Sequence, residues 1–170
     1  VGDTKNLLSS FKQYTHLRKE YGVSNLDKTY SSTIQQFAKL QTCVDLGSRA
    51  IINNKNNGLR IQRSNMSEEV KKDLLGQIKE ANNLLVKEKE KTQEIISEQQ
   101  KQIELLKESI SDFDNQIVIL ATMNALDLSN KLIAKVQAEN EMARLSLETS
   151  KMAVLTTRSS VSNILVLEQK

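Results

Sequence analysis

The chain has 170 residues with no proline, five glycines, one cysteine and only 4% aromatic residues. Average usage would place roughly eight prolines in this length. The scarcity of turn residues and aromatic ballast excludes most β-sheet architectures. A charged share of 26%, a hydrophobic share of 38% and a net charge of +3 exclude a disordered tail. The composition leaves an all-α chain, an elongated helical bundle or coiled coil.

With Cys43 alone, no internal disulfide is available. The longest strongly apolar run, residues 117–121, falls far short of the roughly twenty that a membrane-spanning helix needs. Val1-Gly2-Asp3-Thr4-Lys5 has no signal-peptide pattern, which favours a cytoplasmic location. The missing initial methionine and the helical pattern still running at Leu167-Glu168-Gln169-Lys170 fit a fragment or a processed product. Residues 1–66 carry ten Lys or Arg against four Asp or Glu, whereas residues 67–170 carry fourteen against seventeen.

The first predicted helix covers about residues 4–21. Leu7, Phe11, Tyr14, Leu17 and Tyr21 recur at spacings of three and four, the period of one buried face. Lys5, Lys12 and Lys19 repeat every seven residues on the opposite side, a solvated face in preference to a nucleic-acid or lipid patch. Gly22 suits the left-handed residue that closes a helix. Ser24 and Asp27 then resemble a capping pair for a second helix. Its stripe runs Leu26, Tyr30, Ile34 or Thr33, Phe37, Leu40, Val44 and Ile51. A short turn implies antiparallel neighbours, so residues 1–53 read as an N-terminal helical pair. Gly47 lies on the buried face, where it permits close helix contact or a local bend.

Asn53-Asn54-Lys55-Asn56-Asn57-Gly58 is the clearest break in the pattern. Residues 54–66 are therefore expected to be an Asn-rich linker, with Ile61 as its one anchor. Ser67-Glu68-Glu69 starts a third helix with acidic residues in its first turn, where they complement the helix dipole.

Between residues 78 and 120 a heptad repeat can be counted directly. One seam position holds Asn82, Lys89, Ile96, Ile103, Ile110 and Ile117. The other holds Ile78, Leu85, Thr92, Gln99, Leu106, Phe113 and Leu120. Glu68/Lys71, Glu88/Lys91, Glu98/Lys101 and Glu104/Lys107 supply supporting pairs three residues apart. A second repeat follows, with Leu126, Ile133, Asn140, Leu147, Val154 and Val161 in one row. Ser129, Val136, Ala143, Ser150, Thr157 and Ile164 form its other row. The two repeats are two residues out of phase, a rotation of about 200° on an α-helix. Either the chain turns back near residues 122–130, or one continuous helix changes partners there. Asp127, Ser129 and Asn130 favour the turn, which makes residues 67–170 a long helical hairpin.

No catalytic, cofactor-binding or metal-binding residue is expected. His16 and Cys43 are single residues without a zinc-ligand spacing, and no glycine-rich phosphate loop or nucleophile elbow is present. His16 is expected to be exposed, and Cys43 to be buried as a small hydrophobe. Arg60 and Arg63 lack neighbouring aromatics, so no nucleic-acid partner is expected.

The candidate interaction seam is Ile96, Ile103, Leu106, Ile110, Phe113, Ile117, Leu120, Ile133, Leu147 and Val154. Leu84, Ile95, Leu105, Val118 and Ile119 lie off it, which makes the apolar face too wide for one partner. A second helix of roughly 40 Å is too short to cover a third of roughly 65 Å. The sequence therefore points to a non-enzymatic scaffold that self-associates or docks a helical protein partner. The alternative is membrane contact, as a lipid-remodelling bundle or a subunit of an α-helical pore. Its tip would be Ile117, Val118, Ile119, Leu120 and Met123.

Overall fold

The computed structural model describes residues 2–123 and 130–169, with side-chain surroundings at 5, 8–123 and 130–164. These residues form α1 (Gly2–Tyr21), α2 (Val23–Gln62), α3 (Glu68–Thr122) and α4 (Asn130–Gln169). Among the described residues 95% are helical and none lies in a strand, as the composition requires of an all-α helical bundle. The turn expected near 122–130 falls on residues 124–129, outside the described residues.

Gly22 separates α1 from α2 by a single residue, at φ +87°, a backbone conformation that costs glycine nothing. Its amide donates to the Lys19 carbonyl at 3.1 Å, and its carbonyl accepts from the Asn25 amide at 3.2 Å. The anticipated Ser24–Asp27 cap does not form, because α2 is already helical at Val23. Asp27 instead binds Arg18.

The Asn-rich segment is not a break. α2 runs through it without interruption to Gln62. Asn54 and Gly58 are buried and Ile61 is half-buried, continuing the inward row of Leu26, Thr33, Leu40 and Gly47. Burial at heptad spacing outweighs the poor helix propensity of asparagine and glycine, which amounts to under about 1 kcal/mol per residue. The true turn occupies residues 63–67. Ser64 Oγ donates to the Ile61 carbonyl at 2.6 Å, and Lys71 Nζ donates to the Gln62 carbonyl at 3.1 Å. Ser67 Oγ accepts from the Val70 amide at 3.3 Å, so Ser67 caps the acidic first turn of α3.

The chain divides into two compact units. The first comprises Val1–Gln35 and Gln100–Thr149. Its core joins Leu17 and Tyr21 of α1, Val23 and Leu26 of α2, Leu106, Phe113, Ile117 and Ala121 of α3, and Leu132, Val136 and Ala143 of α4. One stripe residue departs from expectation here, and the open choice between Ile34 and Thr33 is decided. Phe11 is 65% exposed. It stands six residues from Leu17, about 120° around the helix, and so turns off the buried face. On α2, Thr33 occupies the inward position and Ile34 is exposed. Thr33 Oγ1 satisfies itself by donating to the Thr29 carbonyl at 2.7 Å.

The second unit comprises Gln36–Gln99 and Ser150–Lys170. Ala50, Ala81, Leu85, Val161 and Ile164 form its apolar cluster. Asn54 Nδ2 donates to Asn82 Oδ1 at 2.8 Å, and Ser150 Oγ donates to Gln99 Oε1. Within this unit α3 therefore pairs antiparallel with both α2 and α4. The extension of α2 to Gln62 supplies the cover along α3 that a shorter second helix would have left missing. Gly47 is buried, yet an added Cβ there meets nothing within 4 Å, so it serves no close helix approach.

Candidate functional site

The seam residues read from the sequence face inward. In the first unit Ile103, Leu106, Phe113, Ile117 and Leu147 are buried, and Ile110, Leu120 and Ile133 are half-buried. In the second unit Val154 is buried and Ile96 half-buried. Their partners are other helices of the same chain, so the seam is core. The second repeat behaves alike, with Val136, Ala143, Ser150, Thr157, Val161 and Ile164 all buried. Leu126 and Ser129 lie outside the described residues.

What remains on the surface is off the seam. In the first unit Leu105, Met142 and Leu145 are exposed. Leu105 and Met142 line a small pocket of about 120 Å³ on the α3–α4 face, with Thr33, Gln102, Leu106, Glu139, Ala143 and Ser146 around them. The five residues of the expected tip divide. Ile117 is wholly buried and Leu120 packs against the core, whereas Val118, Ile119 and Met123 are exposed, Met123 by 72%.

A second assembly surrounds Arg18. Its Nε donates to Asp114 Oδ1 at 2.6 Å and its Nη1 to Asp27 Oδ2 at 2.7 Å. A longer bond of 3.4 Å joins Nη2 to Asp114 Oδ2. One guanidinium thus ties α1 to α2 and to α3. The bonds to Asp27 and Asp114 hold it protonated well above its usual range, against the opposing pull of burial. It also lies over the Tyr14 ring, 5.9 Å from the centroid. Burial, followed by the negative charge of Asp114, pushes the Tyr14 phenol up from its ordinary value.

Sequence reading did not single out Arg18. Asp114 is ninety-six residues away, and no local pattern announces such a pair.

His16 is exposed and faces Glu20 at 4.0 Å, one turn away. Cys43 is buried as a free thiol. Among the described residues no group of three or more His, Cys, Asp or Glu side chains is placed to hold a metal ion. No helix among them is long and apolar enough to cross a membrane. On the surface of α4, Arg144 Nη2 donates to Glu141 Oε1 at 2.6 Å and holds that carboxyl below its ordinary range.

A pocket of the second unit holds about 470 Å³ between the end of α2 and the start of α3. It is lined by Ile61, Leu74, Ile78, Ala81 and Leu84, with Asn54, Asn57, Arg60, Gln77 and Glu80 as polar members. Asn54 is 1% exposed and its Oδ1 has no hydrogen-bond partner. Its amide is spent on Asn82, which fixes the pairing of α2 with α3.

No protein-family model matches the chain, and no curated protein or solved structure is significantly similar to it.

Proposed function

We propose that this protein is a non-enzymatic assembly module that docks a second copy of itself through helix faces. The observation that carries the reading is the pairing of Leu105 with Met142 on the exposed α3–α4 surface of the first unit. Large apolar side chains that converge on a shallow pocket, within a polar margin of Gln102, Glu139 and Ser146, have the character of an interface centre. A self-complementary patch on one copy meets the same patch on another across a two-fold axis, the commonest form of homo-oligomer.

The test is sedimentation equilibrium of the wild-type chain beside the double variant Leu105→Glu/Met142→Glu. Both side chains are exposed, so the variant keeps its helix content. A wild-type dimer that dissociates in the variant supports the reading. A wild-type chain that stays monomeric at high concentration ends it.

A second reading, membrane contact, is favoured by the exposed Val118, Ile119 and Met123 in the last turns of α3. Vesicle flotation tests it, with binding lost on Ile119→Ser/Met123→Ser as the supporting result.

A further inference from the structure

The junction of α1 and α2 encloses a cleft of about 840 Å³. Its ten described lining residues are Phe11, Lys12, Tyr14, Thr15, His16, Arg18, Lys19, Ser24, Asn25 and Lys28. None is acidic. Arg18 is bonded to both Asp27 and Asp114, so it adds no free positive charge, and the trio leaves a net charge of −1 behind the cleft that the lysines must outweigh. Lys12, Lys19 and Lys28 are exposed, and no described carboxylate lies within ion-pair reach of them. Three uncompensated cations thus converge on one concavity that also offers the hydroxyl of Ser24 and the amide of Asn25, the Thr15 hydroxyl being spent on the Phe11 carbonyl. Such a site selects an anion with several acceptor oxygens, and phosphate fits that chemistry.

The apolar neighbours decide which phosphate. Leu8 and Phe11 are exposed by 54% and 65%. At about 100° per residue Leu8 stands beside the row of Lys5, Lys12 and Lys19 on α1, and Phe11 stands beyond Leu8, between that row and the buried face. An exposed apolar edge that borders a row of lysines is the pattern of a segment lying at the headgroup–acyl boundary of a bilayer. A nucleic-acid strand needs a series of stacking rings. Here the Tyr14 ring is covered by Arg18, Leu8 cannot stack, and Phe11 stands alone.

We propose that the α1–α2 cleft binds the headgroups of anionic phospholipids, with Lys12, Lys19 and Lys28 engaging phosphate and Leu8 and Phe11 entering the bilayer boundary. The site is separate from the α3–α4 docking surface and from the α3 terminus, and depends on neither.

Flotation with phosphatidylcholine vesicles containing phosphatidylserine, and with phosphatidylcholine vesicles alone, tests it. The wild-type chain is expected to float with the anionic vesicles only, and to be released by salt. The variant Lys12→Gln/Lys19→Gln/Lys28→Gln should bind about a hundredfold more weakly, each surface lysine contributing roughly tenfold or somewhat less. Leu8→Ser/Phe11→Ser should weaken binding by about tenfold. All five side chains are exposed, so unchanged circular dichroism confirms that either variant is folded. Equal binding to both vesicle types, no binding to either, or an unaffected lysine variant overturns the proposal. So does loss of binding in Ile119→Ser/Met123→Ser alone, which would assign the contact to the α3 terminus. Two competitor arms separate other phosphate sources. Inositol hexakisphosphate bound without vesicle binding would mark a soluble-anion site. A single-stranded oligonucleotide bound in a lysine-dependent way without vesicle binding would mark a nucleic-acid site.

Discussion

The two units carry one heptad pattern in different residue chemistry. In the first, Thr33 is the one buried polar side chain among the described residues, and the rest of the core is aliphatic and aromatic. In the second, Asn54, Thr92, Gln99, Ser150 and Thr157 are all buried, and alanine and cysteine fill much of what remains. Large apolar side chains contribute roughly 1.5–3 kcal/mol each on full burial, whereas a buried hydrogen-bonded polar group contributes about 1 kcal/mol or less. The first unit therefore gains more free energy per turn of helix. The second gains discrimination: a slip between α2 and α3 would separate Asn54 from Asn82, and a slip between α3 and α4 would separate Gln99 from Ser150. A periodic pattern specifies which face is inward. The residues written into it determine how firmly that face is held.

The largest predicted effect follows from the first core. Ile117→Asp places a charge at a site with 0% exposure, and should cost about 4 kcal/mol or more in a urea titration. A midpoint equal to wild type would mean that Ile117 is not enclosed by α1, α2 and α4. Next comes the ionic tie. Arg18→Ala leaves Asp27 and Asp114 without their shared donor and should cost about 2 kcal/mol. If the Arg18→Ala and Asp114→Asn losses simply add in a double-mutant cycle, the two side chains do not act together. The smallest effect lies in the second unit and has the opposite sign. Gly47→Ala fills open space on a buried helical position and should raise stability by about 0.5–1 kcal/mol. A loss of stability there would show that α2 and its neighbours approach more closely than this.

Most of the helical architecture could be read in advance, because seam positions from Leu85 to Phe113 and from Val136 to Ile164 repeat without interruption. The composition of the Asn-rich segment suggests a linker, although Leu40, Gly47, Asn54 and Ile61 keep strict sevenfold spacing through it. That spacing was the usable signal, and tertiary burial overrode local propensity. The division into two units was not readable, since it separates α2, α3 and α4 between helical turns and leaves no mark in composition. The candidate surfaces were partly visible. Leu105, Val118 and Ile119 are visibly surplus to the seam in the sequence, whereas the α1–α2 cleft arises only when the two helices fold against each other. Lys12 and Lys19 resemble an ordinary wet face in the sequence until the fold brings Lys28 beside them.

The contrast between the two cores is tested most directly by native-state hydrogen exchange resolved along the chain. Amides of the first unit at residues 113–121 and 132–143 should be the slowest, opening only with global unfolding. Those of the second unit at residues 43–54, 92–99 and 150–157 should exchange through a smaller opening, faster by about tenfold or more. Equal protection in the two sets, or slower exchange around Asn54, Gln99 and Ser150, would contradict the account.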